Sequence, residues 1–118
     1  MPRLIEPGPN PEQMALLEAA ALRAPDHMQL MPYQFQCFEG PSRARLSTLF
    51  AEAASQKGEP EAGVNKAAQL PFRAPLVIAA VMKHQAHDKV PRVEQICTTA
   101  CAAMAIEQAA FAQGLGAI

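Results

Sequence analysis

The segment Pro75-Leu76-Val77-Ile78-Ala79-Ala80-Val81-Met82 narrows what this chain can fold into more than any other. It is a continuous apolar run of strand length, and such a run implies a strand covered on both faces of a sheet. A strand of that kind needs neighbours, and the sequence supplies one. Tyr33 to Glu39 reads as a strand, with Tyr33, Phe35 and Cys37 on one face and Phe38 on the other. Two strands rarely make a stable sheet. The opening Met1-Pro2-Arg3-Leu4-Ile5 is short and broken by proline, and Ile118 follows a glycine turn from which another strand could start. On pattern alone, the chain is expected to be incomplete.

Helices account for much of the rest. Asn10-Pro11-Glu12-Gln13 is a helix start: Asn10 can accept from an orphan N–H, Pro11 suits the first helical position, and Gln13 can reach back. Met14, Leu17, Ala21 and Leu22 follow as a core stripe at helical spacing. Pro25 ends the helix by disfavouring the helical conformation at Ala24. Gly40-Pro41-Ser42 turns the chain into a second helix over 42–55, which should carry Leu46, Leu49, Phe50 and Ala53 inward. Residues 57–63 read as a polar loop, and 64–70 as a short helix. After the loop 83–90, Pro91 opens a long helix to Gln113, stopped by Gly114. Its many alanines, with Cys97, Thr98, Cys101 and Ala105, let neighbours approach closely.

Composition removes several functions. With 118 residues, half of them hydrophobic, the chain fits one domain with a core. Ten basic and eleven acidic residues nearly cancel, and no charged block stands out, so nucleic acid and anionic membranes are poor partners. Ile96 to Ile106 is the most apolar helical stretch and is too quickly interrupted to span a bilayer. Three cysteines (Cys37, Cys97 and Cys101), with no apolar segment after Met1-Pro2-Arg3, imply a reduced, cytoplasmic protein.

Arg23-Ala24-Pro25-Asp26-His27 places a cation and an imidazole where the first helix breaks, close to the first strand. The Arg23 guanidinium can fork onto phosphate or ring oxygens. Equally, Arg23 can simply meet the helix C-terminal dipole while His27 caps a turn. His84, His87, Cys97 and Cys101 lack the ordered spacing of a structural zinc site, and small buried cysteines in a crowded helix are the commoner pattern, so no metal is expected. His87 and Lys89 either line a substrate entrance or are solvated loop residues. Met28 and Met31 either offer adaptable contact to a flat aromatic substrate or fill the core.

Taken in order, Leu22 to His27, Pro32 to Phe35, Pro71 to Leu76, Lys89 to Gln95 and Gly114 to Ile118 resemble the nitroreductase family, specifically the small single-domain NAD(P)H nitroreductases. The resemblance runs along nearly the whole chain. It implies an α+β fold with a central, mostly antiparallel sheet flanked by helices, including a long Ala-rich one. It further implies a homodimer with FMN at the interface. NAD(P)H would be the electron donor, and a nitroaromatic, quinone or similar flat molecule the acceptor. Arg23 and His27 fall on positions that contact FMN in the family. Ala109, Ala110, Phe111, Ala112, Gln113 and Gly114 look like a segment assigned to nicotinamide nucleotide binding, although a helix end packed in a core explains them as well. Members also carry an upstream Arg-Arg-Ser and a downstream Trp that hold the flavin. Neither is in this sequence, which is therefore expected to be a single partial domain, 1–118. The alternative is a non-catalytic fragment that self-associates without flavin.

Overall fold

The computed structural model describes residues 3–118. Its elements run α1 (Pro11–Ala21), β1 (Tyr33–Glu39), α2 (Ser42–Gln56), α3 (Glu61–Gln69), β2 (Leu76–Met82) and α4 (Arg92–Ala112). Short 3-10 turns at His27–Gln29 and Leu70–Arg73 precede the two strands. This is an α+β fold in which β1 and β2 form a two-stranded antiparallel sheet. The chain divides into two compact units, one of the N-terminal stretch to Gly8 with Cys37–Ile78, the other of Pro9–Gln36 with Ala79–Ile118.

The start of α1 is written in its first residues. Asn10 adopts extended backbone, its side chain accepts from the Gln13 N–H at 2.8 Å, and the Gln13 side chain accepts from the Asn10 N–H at 2.9 Å. Two orphan donors are thus satisfied reciprocally. Asn10→Ala is expected to cost about 1 kcal/mol of stability, read from urea unfolding. A midpoint equal to that of the unaltered chain would show that the cap contributes nothing.

In the first unit, α2 and α3 pack on each other and on the Leu70–Arg73 turn. The Ser47 hydroxyl donates to the Ala68 carbonyl at 2.6 Å, and Arg43 donates to the Ala74 carbonyl at 2.7 Å while its guanidinium lies over the Phe72 ring. Pro71 is fully buried. The inward stripe expected of α2 is corrected here. Leu46 is half-buried, but Leu49, Phe50 and Ala53 are exposed, and α2 has no fully buried residue. α3 also begins three residues before the expected 64, at Glu61, because Pro60 serves as its N-cap residue.

The second unit holds the core. Leu17 and Ala21 of α1 meet α4, where Ala102 is wholly buried and Ala110 nearly so. Leu22, expected in the α1 stripe, is 61% exposed at the C-cap of the helix. The buried face of α4 is partly polar, with Gln95 fully buried and Thr98 and Thr99 buried beside Ala102. α4 ends at Ala112 with Gln113 as its C-cap, and Gly114 follows with a φ of 77° that suits glycine.

β2 has the expected span but not the expected burial. No residue in it is fully buried, and Val81 is exposed. With one partner strand among the described residues, it is covered only in part. Along β1, Tyr33 and Phe35 are half-buried with ring centroids 5.5 Å apart. The alternation then breaks, leaving Cys37 exposed and Phe38 half-buried.

Candidate functional site

The Arg23-to-Met31 segment is held by α4. The Thr98 hydroxyl donates to the Pro25 carbonyl at 2.8 Å, and Thr99 donates to the Pro32 carbonyl at 3.4 Å and to the Gln95 carbonyl at 3.0 Å. Between these anchors the backbone takes left-handed conformations at three non-glycine residues, Met28 (φ 63°), Gln29 (φ 53°) and Met31 (φ 47°). Each costs roughly 1–2 kcal/mol, so the surroundings must impose the turn. Asp26 does much of this, its carboxylate accepting the Leu30 N–H at 3.1 Å and the Met31 N–H at 2.8 Å. The Gln85 side chain adds a donor to the Leu30 carbonyl at 2.6 Å.

Gln85 is itself fixed by α4. The Gln95 amide oxygen accepts the Gln85 N–H at 2.9 Å, and its nitrogen donates to the Gln85 carbonyl at 2.7 Å and the Val90 carbonyl at 3.2 Å. One buried side chain therefore sets the 83–91 loop, which in turn braces the Arg23-to-Met31 segment. In that loop His87 accepts the Lys89 N–H through Nδ1 at 3.1 Å. His84 is exposed and His87 half-buried. Among the described residues, no three His, Cys, Asp or Glu side chains converge as a metal site. No disulfide joins the cysteines, all three of which are exposed, so the expected burial of Cys97 and Cys101 is corrected: they occupy the outer face of α4.

Arg23 lines an open groove of about 370 Å³ together with Pro25 and the α4 residues Ala100, Cys101, Met104 and Gln108. No carboxylate among the described residues lies within ion-pair distance of Arg23. His27 lies at the other end of the segment, against the first turn of α4, with Nδ1 at 2.7 Å from Glu94 Oε2. Both side chains of that pair are about half exposed. Burial pushes the Tyr33 hydroxyl above its ordinary value of 10.0, and the Asp26 carboxylate adds to the shift.

The Ala109-to-Gly114 stretch forms the opposite end of α4. Ala110 packs in the core, Phe111 is 82% exposed, and the Gln113 side chain donates back to the Ala109 carbonyl. At 1.5 Å rise per residue, Ala109 stands about 22 Å along the helix from Glu94. The groove reaches Gln108 and stops there. The structure thus brings Arg23 to the later turns of α4 and His27 to its start, with the Ala109-to-Gly114 stretch at the far end. Met28 and Met31 are both exposed beside His27.

Three residues that support this site went unrecognised in that role from the sequence: Glu94, Gln95 and Thr98. Glu94 and Thr98 are 67 and 73 residues from their partners, and no local signal announces such a pair. Gln95 and Thr98 did leave a trace, since with Thr99 and Ala102 they occupy helical-face spacing where an apolar stripe is usual.

The groove sets Arg23, unpaired among the described residues, beside small and soft apolar side chains of a long alanine-rich helix, an arrangement chemically able to receive a flat molecule with anionic or electron-rich groups. The sequence profile of the Nitroreductase family matches residues 6–118, and the chain belongs to that family. It is 43% identical over 116 residues to the Escherichia coli K12 protein named "Putative NAD(P)H nitroreductase YdjA", covering 98% of this chain and 63% of that protein. A Haemophilus influenzae protein named "Putative NAD(P)H nitroreductase" is 41% identical over 113 residues, covering 95% of this chain and 61% of the other. Among solved structures, a nitroreductase-like family protein from Bacillus cereus superposes with a TM-score of 0.74 at 17% identity, over 98% of this chain and 61% of that one. The fold is therefore nitroreductase-like, and the chain spans less than two thirds of the length of these relatives.

Proposed function

We propose that this chain is part of an FMN-dependent oxidoreductase that takes electrons from NAD(P)H and delivers them to a nitroaromatic, a quinone or a similar flat acceptor. The observation that carries the reading is the groove that Arg23, unpaired among the described residues, lines together with small and sulfur-bearing side chains of α4. Its volume falls in the usual range for small-molecule sites. The donor set fits an aromatic nucleotide, because a fixed cation meets phosphate or ring oxygens and the apolar wall takes a ring face. When bound, FMN would supply the two-electron chemistry, receiving a hydride equivalent from the nicotinamide and passing electrons on.

The protein's own part is positional. Arg23 holds negative charge at the groove, and Thr98 and Asp26 keep the supporting backbone in its strained form. His27 offers a further polar contact at the start of α4. Ala109, Ala110, Phe111, Ala112, Gln113 and Gly114 are proposed as the nicotinamide nucleotide contact, where small residues at a helix end admit a planar ring. The same reading makes the chain a single partial nitroreductase-like domain that acts in the cytoplasm as a homodimer with FMN between protomers. It assigns no role to a metal, nucleic acid or membrane. Among the described residues, no helix is long and apolar enough to cross a membrane.

The test is a fluorescence titration of FMN with the purified chain, followed by NAD(P)H oxidation with a nitroaromatic or quinone acceptor. Saturable quenching and a yellow protein support the proposal, and flavin at a thousandfold excess over its Kd should add about 4 kcal/mol of stability. Unquenched flavin at every protein concentration overturns it. A second reading, a non-catalytic chain that self-associates without flavin, draws on the apolar side chains that α4 exposes, namely Val93, Ile96, Met104 and Phe111. A colourless oligomer is the result that reading requires.

A further inference from the structure

The His27–Glu94 pair lets the chemistry of one ring nitrogen be assigned. The geometry points to Glu94 as a positioning residue that holds His27 in its Nδ1–H tautomer and leaves Nε2 as a bare hydrogen-bond acceptor for a ligand hydroxyl or imide N–H. The contact is 2.7 Å, a charge-assisted length. An ionised carboxylate only accepts, so the proton in this bond sits on Nδ1. In a neutral ring the other nitrogen then carries none.

Both partners are placed before they meet. Glu94 lies in the first turn of α4, where the exposed N–H groups and the helix dipole favour an acidic side chain. His27 lies on the left-handed turn that Asp26, Thr98 and Gln85 fix from three directions. An exposed pair of this kind adds little to stability, so fixing the ring is the more telling consequence. Nε2 lies on the edge opposite Glu94, in a side chain half open to solvent. Of the two polar groups assigned to the flavin, Arg23 can only donate and His27 is left to accept. FMN offers both complements, anionic oxygens for the first and ribityl hydroxyls or the ring imide for the second. The choice of FMN as ligand rests on the proposed function, whereas the tautomer does not.

The test is long-range proton–nitrogen NMR of the histidine rings in the full chain, about two units above the ordinary histidine pKa. In the unaltered chain His27 should show a protonated Nδ1 and a bare Nε2. Glu94→Gln keeps an acceptor oxygen and should preserve that pattern, while Glu94→Ala should release the ring to the mixture found in free histidine. A proton on Nε2 in the unaltered chain, or an Ala variant with an unchanged spectrum, overturns the assignment. The unaltered spectrum alone decides it if a variant fails to fold.

The second readout is FMN affinity. Glu94→Ala should weaken it about tenfold, the worth of one hydrogen bond of this kind. His27→Ala should weaken it at least as much, and the double variant no more than His27→Ala alone. Independent, multiplying losses would overturn the coupling. A chain that binds no FMN at all defeats the proposed function and leaves the tautomer to be decided by the spectrum.

Discussion

Replacing Gln95 by alanine is expected to destabilise the protein by about 3–4 kcal/mol, a large share of the roughly 5–15 kcal/mol that holds a domain folded. The side chain is 1% exposed and completes three hydrogen bonds to the main chain of the 83–91 loop. Its removal orphans the Gln85 N–H and the Gln85 and Val90 carbonyls, and leaves a cavity beside α4. The cost splits into two measurable parts. Gln95→Leu restores most of the volume and none of the bonds, so its deficit isolates the polar share. Urea unfolding gives both numbers, and hydrogen exchange should show the 83–91 amides opening first. Gln95→Leu at full stability would mean that water replaces the lost bonds and that the loop does not depend on this residue. Among the described residues, every buried side-chain nitrogen and oxygen has a partner, so a defect made here has no precedent in the fold.

Arg23→Ala should separate function from stability. The side chain is exposed, forms no ion pair among the described residues, and lines the groove. Loss of a charge-assisted bond to phosphate or a ring oxygen should weaken FMN binding about ten- to hundredfold. Arg23→Lys should recover only part of that, because an ammonium supplies charge without a planar fork. Stability should move by less than about 0.5 kcal/mol. If Arg23 merely complements the α1 dipole, the pattern reverses: stability falls by about 0.3–1 kcal/mol and flavin affinity is untouched. Thermal melts without flavin and quenching titrations with it distinguish the two outcomes.

What could be read in advance follows from the range of each interaction. The α1 cap lies within four residues, so Asn10 and Gln13 announced it. The bounds of β1 were legible because turn residues stand on both sides of a short alternating run. The end of α4 was marked by Gly114, whose backbone angle few other residues adopt without strain. Burial was less legible, since it depends on what arrives from elsewhere in the chain. Leu49 and Phe50 have the spacing of a core face and lie exposed on α2, and Leu22, spaced to continue the α1 stripe, lies exposed at the helix C-cap. β2 reads as buried on both sides, yet one partner strand covers it only partly. Of the candidate site, the Arg-Ala-Pro-Asp-His break was visible because proline and aspartate mark a turn locally. Its support was not, because Thr98, Glu94 and Gln95 reach it through tertiary contacts that no short-range pattern encodes.

The polar face of α4 also restricts how that helix can be seated. A purely greasy seam tolerates sliding, because one methyl group substitutes for another. Here Thr98 answers the Pro25 carbonyl, Thr99 the Pro32 carbonyl and Gln95 the 83–91 loop, each at a separate height. A slip of one turn, about 5.4 Å, would mismatch all three at once. The helix is thereby indexed like a key with three cut teeth, admitted at a single depth.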